Sequence, residues 1–474
     1  MRKLHFLAAL LVIGAPAWVA AQQASPEAEQ ATAAAQVDEI FSAYDHTWTP
    51  GCAVGVIRDG EFVLRRGYGM ANLEYGIALS PQSVFRIGST SKQFTAAAVL
   101  LLTQEGKLSL DDDVRDYLPE LNDFGTPVTI RHLIHHTSGY RDYLTLADLA
   151  GWRDDDYYTD ADLLDMLSRQ RELNFDPGDE HLYSNSGYWL LSQVVERASG
   201  ESLKEYAAEN MFAPLGMSAT HFHDDHTEIV PHRASGYAPT GDGFAISMTT
   251  LPMIGDGGVF TTVDDLLRWD QNFYDPSVGG AEFIEHMVRT GSLNDGEKLT
   301  YAFGLGVDTY RGLNMVSHSG GFVGFRAEMI RFPDERVSVI CLCNRADANP
   351  SRLSRQVAEV YLGDRMEAPQ PRGQRAPRAQ PPAMVERSDA ELAAFAGDYY
   401  SEELDVVYRL SVAGDDGRMI YEVGSRRGSV RPIGDDVLWS NNLQFRVERN
   451  ATGAITGFQI DAGRVKNLRF TRVP

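Results

Sequence analysis

The sequence predicts an α/β chain in two folded parts: an antiparallel sheet flanked by helices with an all-helical subdomain, then a smaller antiparallel β-barrel. Three observations carry this. Strand-like runs stand at both ends of residues 36–362, with a mainly helical stretch between them. A Pro- and Arg-rich segment interrupts the chain at 364–387. Beyond it, short alternating runs separated by turns continue to the C-terminus.

The first 21 residues read as a secretory signal peptide rather than as part of the fold: basic Arg2 and Lys3, a mostly apolar run to residue 15, then Val19-Ala20-Ala21 before a cut. The expected location is therefore the periplasm or the medium. Residues 22–36 are Gln- and Ala-rich and are expected to be loose. Strands are predicted at 52–58 and 61–67, joined by Asp59-Gly60. Helices are predicted at 89–105, 129–136, 161–169, 186–199, 202–210 and 262–273, and strands return at 313–318, 323–332 and 336–343. Strands at both ends with helices between them imply one sheet closed by its terminal segments, with the helices forming a cleft beside it. The first folded part is expected to span 22–363. Residues 364–387, with Pro369, Pro371, Pro377, Pro381 and Pro382, read as an extended spacer. Within 388–474, Ser388-Asp389-Ala390-Glu391 is a capping box for a short helix. Alternating runs at 406–412, 419–423, 437–440, 444–448, 455–460 and 465–470 then form a meander.

A chain of 474 residues exceeds one hydrophobic core. Its net charge of −23 opposes binding to nucleic acid or anionic membranes, and no later stretch is long and apolar enough to span a bilayer. The expected partner is a small-molecule or peptide substrate; oligomeric state is open. Three cysteines do not make a disulfide framework. Cys52, Cys341 and Cys343 lie in strand-like runs, which favours buried free thiols; a cross-strand disulfide from Cys52 to Cys341 or Cys343 is the alternative.

The chemistry begins with Ser89-Thr90-Ser91-Lys92, between the apolar approach Val84–Gly88 and an apolar run to Leu102. This places Ser89 at a helix N-terminus, with Lys92 one turn on and within reach of its hydroxyl. A serine needs a base to become a nucleophile, and a helix N-terminus favours the developing negative charge. Alone, the string also fits an N-capping Ser with a solvated Lys. Two further motifs give it company. Tyr183-Ser184-Asn185 precedes an apolar helix and projects a phenol and an amide the same way. The phenol can exchange protons and the amide can hold a carbonyl and the lysine. His318-Ser319-Gly320-Gly321 closes a strand, where glycines let a substrate backbone lie along the edge. The Ser89 and Gly321 amides could form an oxyanion hole.

Together these motifs resemble the serine β-lactamase-like family: class C β-lactamases, D,D-peptidases and their esterase and D-aminopeptidase relatives. That family runs Ser-x-x-Lys, Tyr-x-Asn, then Lys/His-x-Gly. Phe85–Gly88, Leu133–Gly139, Pro214–Met217 and Gly257-Gly258 are similar too, over residues 36–362, and the tail resembles a lipocalin-like appendage. The resemblance implies Ser89 as nucleophile, Lys92 and Tyr183 as the proton-transfer pair and Asn185 as substrate holder. It places His318, Ser319 and Gly320 on the cleft edge and implies an acyl-enzyme route with no cofactor and no metal. His318 departs from the Lys usual in β-lactamases and penicillin-binding members. A mostly neutral His points to the peptidase, amidase and esterase side, acting on small D-amino-acid-containing or ester substrates. A class C-like β-lactamase, a D,D-carboxypeptidase and a non-catalytic peptidoglycan- or peptide-binding protein are the alternatives.

One rival string is His221-Phe222-His223-Asp224-Asp225-His226, which fits the H-x-H-x-D-H zinc-ligand pattern. Its place after Leu215-Gly216-Met217 argues for a solvated polar loop instead. His135-His136 reads as an adjacent pair on a helix, one packed and one exposed.

Overall fold

The computed structural model describes residues 25–153, 156–369, 382–413 and 418–474. The signal-peptide segment and the middle of the expected spacer, 370–381, lie outside the described residues. The main sheet has six antiparallel strands in the order Gly306–Tyr310, Leu313–Phe322, Phe325–Phe332, Val337–Cys343, Cys52–Arg58, Glu61–Tyr68. The first strand of the chain thus pairs with the last, in the register Cys52↔Cys343 to Arg58↔Val337.

Both faces of this sheet are covered, so its central strands read as unbroken apolar runs. Along Cys52–Arg58, Ala53 and Ile57 join the core under the helical region, whereas Cys52, Val54 and Val56 face the opposite side. That side is closed by two helices, Pro26–Phe41 and Pro350–Leu362, through Val37, Phe41, Leu353 and Val357. The first of these corrects the expectation of a loose segment at 22–36. Ser25 caps the Ala28 amide, Pro26 stands at the first turn, and the alanines favour helix once Val37 and Phe41 have a face to bury. Composition suggested disorder because the helix owes its order to tertiary packing.

The cysteine expectation is corrected as well. Cys52 and Cys343 form a disulfide, and only Cys341 is a free, buried thiol. The register decides the choice. Cys343 stands directly across from Cys52, whereas Cys341 is opposite Val54.

On the other face, Lys92–Gln104 runs through the middle of the helical region with nearly every side chain buried, as expected for a helix apolar all round. It packs against Asn185–Ser199. A buried ion pair, Arg331 to Asp270 at 2.7 Å, ties the helix Val263–Asn272 to the sheet, and Ser338 donates to the same carboxylate.

Among the described residues, eight strands from Gly397–Ser401 to Val465–Arg472 form a closed barrel in sequence order, preceded by the helix Asp389–Phe395. Two strands, Gly397–Ser401 and Arg426–Pro432, were not expected; the first is short and begins Gly-Asp, and Arg and Gly positions break the apolar alternation in the second. The barrel sits on the helical region. Arg141 and Glu403 form a buried ion pair at 2.9 Å, and the Tyr408 hydroxyl donates to Leu149 O at 2.7 Å. Removing one partner of such a pair leaves an uncompensated buried charge, typically at a cost of about 3–5 kcal/mol. No helix among the described residues is long and apolar enough to cross a membrane.

The disulfide makes a direct prediction. Protein denatured without reductant should titrate one thiol per chain, Cys341, and all three cysteines after reduction. Three thiols before reduction would contradict the pairing.

Candidate active site

Ser89 sits in a single 3-10 turn, Gly88–Ser91, from which the α-helix continues at Lys92. Residues three apart eclipse in a 3-10 turn. This brings the Lys92 ammonium to 3.3 Å from the Ser89 hydroxyl oxygen, with no exposed surface left on the lysine. Lys92 also donates to Asn185 Oδ1 at 2.9 Å and to the Asp256 backbone carbonyl at 2.5 Å. Three oxygens from three segments therefore enclose one cation.

The strand edge lies against this turn because glycines permit it. Gly88 has φ +52°, and a Cβ there would fall 2.7 Å from the Gly321 amide nitrogen. A Cβ on Gly320 would fall 1.9 Å from Ile87 O. The Ser89 turn and the Gly320-Gly321 backbone are thus in direct apposition, the arrangement from which two amides can face one oxyanion. Thr90 completes the seam by donating to His318 O at 3.3 Å.

Ser89, Tyr183, Asn185, His318, Ser319, Gly320 and Gly321 line one cleft of about 400 Å³. Lys92 lies behind this lining and bonds two of its members, Ser89 and Asn185. The Tyr183 ring is flanked by Lys92 at 4.9 Å and by Arg464 at 4.7 Å, and the His136 ring lies tilted against it at 4.1 Å. Its hydroxyl is buried and has no hydrogen-bond partner. The Tyr183 phenol and the Ser89 hydroxyl are therefore not hydrogen-bonded to each other here. Catalytic hydrogen bonds often tighten only with substrate in place.

His318 is engaged through both ring nitrogens. Nδ1 lies 2.6 Å from Ser319 O and so carries the proton, and Nε2 then accepts from the Tyr301 hydroxyl at 3.1 Å. Burial, with Lys92 nearby, lowers its pKa to about 4. The side chain is neutral at pH 7 and offers substrate a ring face rather than a charge.

Several residues that shape the site carry no sequence motif of their own. Asp142, fully buried, accepts from the Asn185 amide at 2.7 Å and from Thr145 N at 3.1 Å. One carboxylate thus serves the N-termini of two helices, Asn185–Ser199 and Tyr143–Leu149. The spacing Asp142-x-x-Thr145 before an apolar run was the available signal. Asp256 accepts from the Tyr143 hydroxyl at 3.1 Å, and burial raises its pKa. Arg464 reaches the cleft from the barrel, and no sequence signal links it to Ser89.

Two histidine expectations are corrected. His135 and His136 are both buried and do not share a helix, which ends at Ile134; His136 takes φ +57° and its Nδ1 accepts from the Ser184 amide. The 221–226 string is an exposed loop only in its second half, at Asp225 and His226. His221 lies in a short strand beside Val259–Thr261, and His223 is buried. Nor does the string converge. His221 and His223 gather with Glu228, while Asp225 bonds Thr227 and His226 stacks toward Tyr157. Lys204 already donates to Glu228 at 2.9 Å.

Buried His318 implies a pH effect on stability. Its folded pKa of about 4 lies below the ordinary 6.5, so between these values the unfolded chain binds the extra proton. Stability is full above the unfolded value and falls as pH drops through that window. His318→Gln should flatten the slope of unfolding free energy against pH by up to about 1.4 kcal/mol per unit. An unchanged slope would contradict a buried neutral histidine.

The chain is similar to several known proteins. The sequence profile of the Beta-lactamase family matches residues 37–362. A D-aminopeptidase of Brucella ovis is 30% identical over 382 residues, 79% of this chain and 68% of that protein. One of Gluconobacter oxydans is 28% identical over 373 residues, covering 78% and 67% respectively. An octameric penicillin-binding protein homologue from Pyrococcus abyssi superposes with a TM-score of 0.61 at 23% identity, over 93% of this chain and 99% of that one.

Proposed function

The chain belongs to the Beta-lactamase family, and we propose that it is an exported serine hydrolase acting through an acyl-enzyme on Ser89. Its proposed substrates are small D-amino-acid-containing amides or peptides, or esters. The observation that carries the reading is the enclosed Lys92 ammonium 3.3 Å from the hydroxyl of Ser89, which lines a cleft together with an unpartnered Tyr183 phenol.

In this mechanism the substrate carbonyl enters between the Ser89 and Gly321 amides, and Asn185 holds the acyl side chain's amide. Tyr183, poised by Lys92, takes the Ser89 proton as Oγ attacks the carbonyl carbon. The tetrahedral oxyanion is held by the two amides. Tyr183 then returns the proton to the leaving atom as the bond to carbon breaks. Water hydrolyses the ester by the reverse sequence of proton transfers. The D-aminopeptidases at 28–30% identity support the amide and D-residue preference. The neutral His318 supports the peptidase, amidase and esterase side over a β-lactamase, since it supplies no full charge at the strand edge. The Cys52–Cys343 disulfide supports an oxidising compartment.

The test is turnover of D-alanine p-nitroanilide and of p-nitrophenyl acetate by wild type and Ser89→Ala. The variant should lose at least about a thousandfold in kcat/KM on whichever substrate the wild type cleaves. Equal rates in the two proteins would remove the reading.

A further inference from the structure

A second cavity adjoins the active-site cleft, and its polar lining is made of cationic residue types. Its volume is about 200 Å³, and it meets the cleft at Arg86 and Leu251. Arg86, Arg233, His223 and His226 supply the polar lining, with Phe260 and Phe325 among the apolar side chains. No Asp or Glu lines it, although the chain carries a net charge of −23.

Strand pairing brings these residues together. Phe85–Arg86 pairs with Val259–Thr261, which also pairs with His221–Phe222, so Arg86 and His221 stand on either side of Phe260. The His223 amide continues this pairing by donating to Gly258 O. Two residues before Arg86, Val84 bridges to Arg233, and the Ala234 amide donates to Val84 O.

Arg86 is the group that calls for a ligand. It is 6% exposed, and its Nε is buried without a hydrogen-bond partner. Among the described residues nothing accepts a hydrogen bond from its guanidinium. It lies over the Phe260 ring at 6.0 Å and the Phe322 ring at 5.2 Å, and ring faces do not replace the water that a buried charge loses. Asp256 attracts it only from a distance, since that carboxylate receives the Tyr143 hydroxyl. Arg233, exposed at the other side of the cavity, also has no side-chain hydrogen bond or ion pair among the described residues. Two carboxylates near His223 are committed elsewhere, Asp225 to Thr227 and Glu228 to Lys204. Burial, then His221 and the two arginines, hold the His223 pKa down to about 4, so its ring is neutral at pH 7. The unmatched charge of the cavity is therefore that of two guanidinium groups.

Two such groups match a tetrahedral dianion. A guanidinium binds phosphate or sulfate through paired, parallel hydrogen bonds, and two of them balance a double negative charge. His223 can add a donor, because its Nδ1 faces His221 Nε2 at 3.2 Å and leaves Nε2 free. We propose that this cavity is an anion site that takes one inorganic phosphate or sulfate between Arg86 and Arg233, apart from the place of the substrate. Phe85–Arg86 leads into the Gly88–Ser91 turn, so the anion also relieves an uncompensated buried charge at the approach to the nucleophile.

The experiment is isothermal titration calorimetry of the full chain with inorganic phosphate, in wild type, Arg233→Ala and Arg464→Ala, at an ionic strength held constant with sodium chloride. Binding needs no turnover, so the outcome is independent of the hydrolase reading. Wild type should bind one phosphate per chain, and sulfate should compete for it. Arg233→Ala, a change at an exposed side chain, should weaken binding about tenfold or more. Arg464→Ala removes a cation of the cleft and should leave the affinity unmoved. No saturable binding by wild type would mean that water alone serves Arg86, and would overturn the proposal. An affinity unmoved by Arg233→Ala would overturn it too. So would an affinity lost with Arg464→Ala, which would put the anion in the cleft.

Discussion

The burial of one ammonium group organises this site. Lys92 has no exposed surface, and a buried charge is tolerated only when hydrogen bonds replace its water. Its partners come from the nucleophile turn, the start of the helix at Asn185 and the loop at Asp256. Those three segments must therefore meet at one point. Other contacts secure the same junction: Thr95 donates to Gly255 O, the Val259 amide donates to Ser91, and Asp142 receives the Asn185 amide. The sheet can approach only because Gly88 and Gly320 carry no side chain where a Cβ would strike the facing backbone. The charge of Lys92 and the absence of two methyl groups fix the Ser89 geometry between them.

Much of this was legible beforehand, and the reasons are local. Ser89, Lys92, Tyr183, Asn185 and His318 stand in short strings next to helix or strand signals, so their elements could be placed from periodicity alone. The central strands were readable because both faces are buried and the runs are unbroken. What escaped depends on contacts distant in sequence. The helix Pro26–Phe41 has a polar, Ala-rich composition and takes its order from Val37 and Phe41 against the sheet. The pairing of Cys52 with Cys343 rather than Cys341 is set by strand register, which composition does not reveal. The pair His135-His136 was read as sharing a helix with one ring exposed, but the helix ends at Ile134, His136 is left-handed, and both are buried. Arg464 belongs to a hairpin turn of the barrel and looks like any surface arginine until the barrel is seated on the helical region.

That seating changes how the C-terminal part is understood. The barrel is held by a buried ion pair, by the Tyr408 hydroxyl and by the Asn174 clamp, and its apolar core is continuous with that of the helical region. It is a wall of the cleft as much as an appendage. The site thus divides its electrostatics between two structures: a neutral histidine on the sheet edge and a cation on the barrel turn, on either side of one tyrosine. The fold is shared with a penicillin-binding protein homologue over nearly its whole length.

The central claim is that Ser89 forms a covalent ester during turnover. The most direct measurement is mass spectrometry of protein quenched in acid while it hydrolyses p-nitrophenyl acetate, followed by peptide mapping. The account predicts an acetyl increment on the peptide that contains Ser89, absent from Ser89→Ala. Turnover with no increment, or with the increment on another residue, would contradict it.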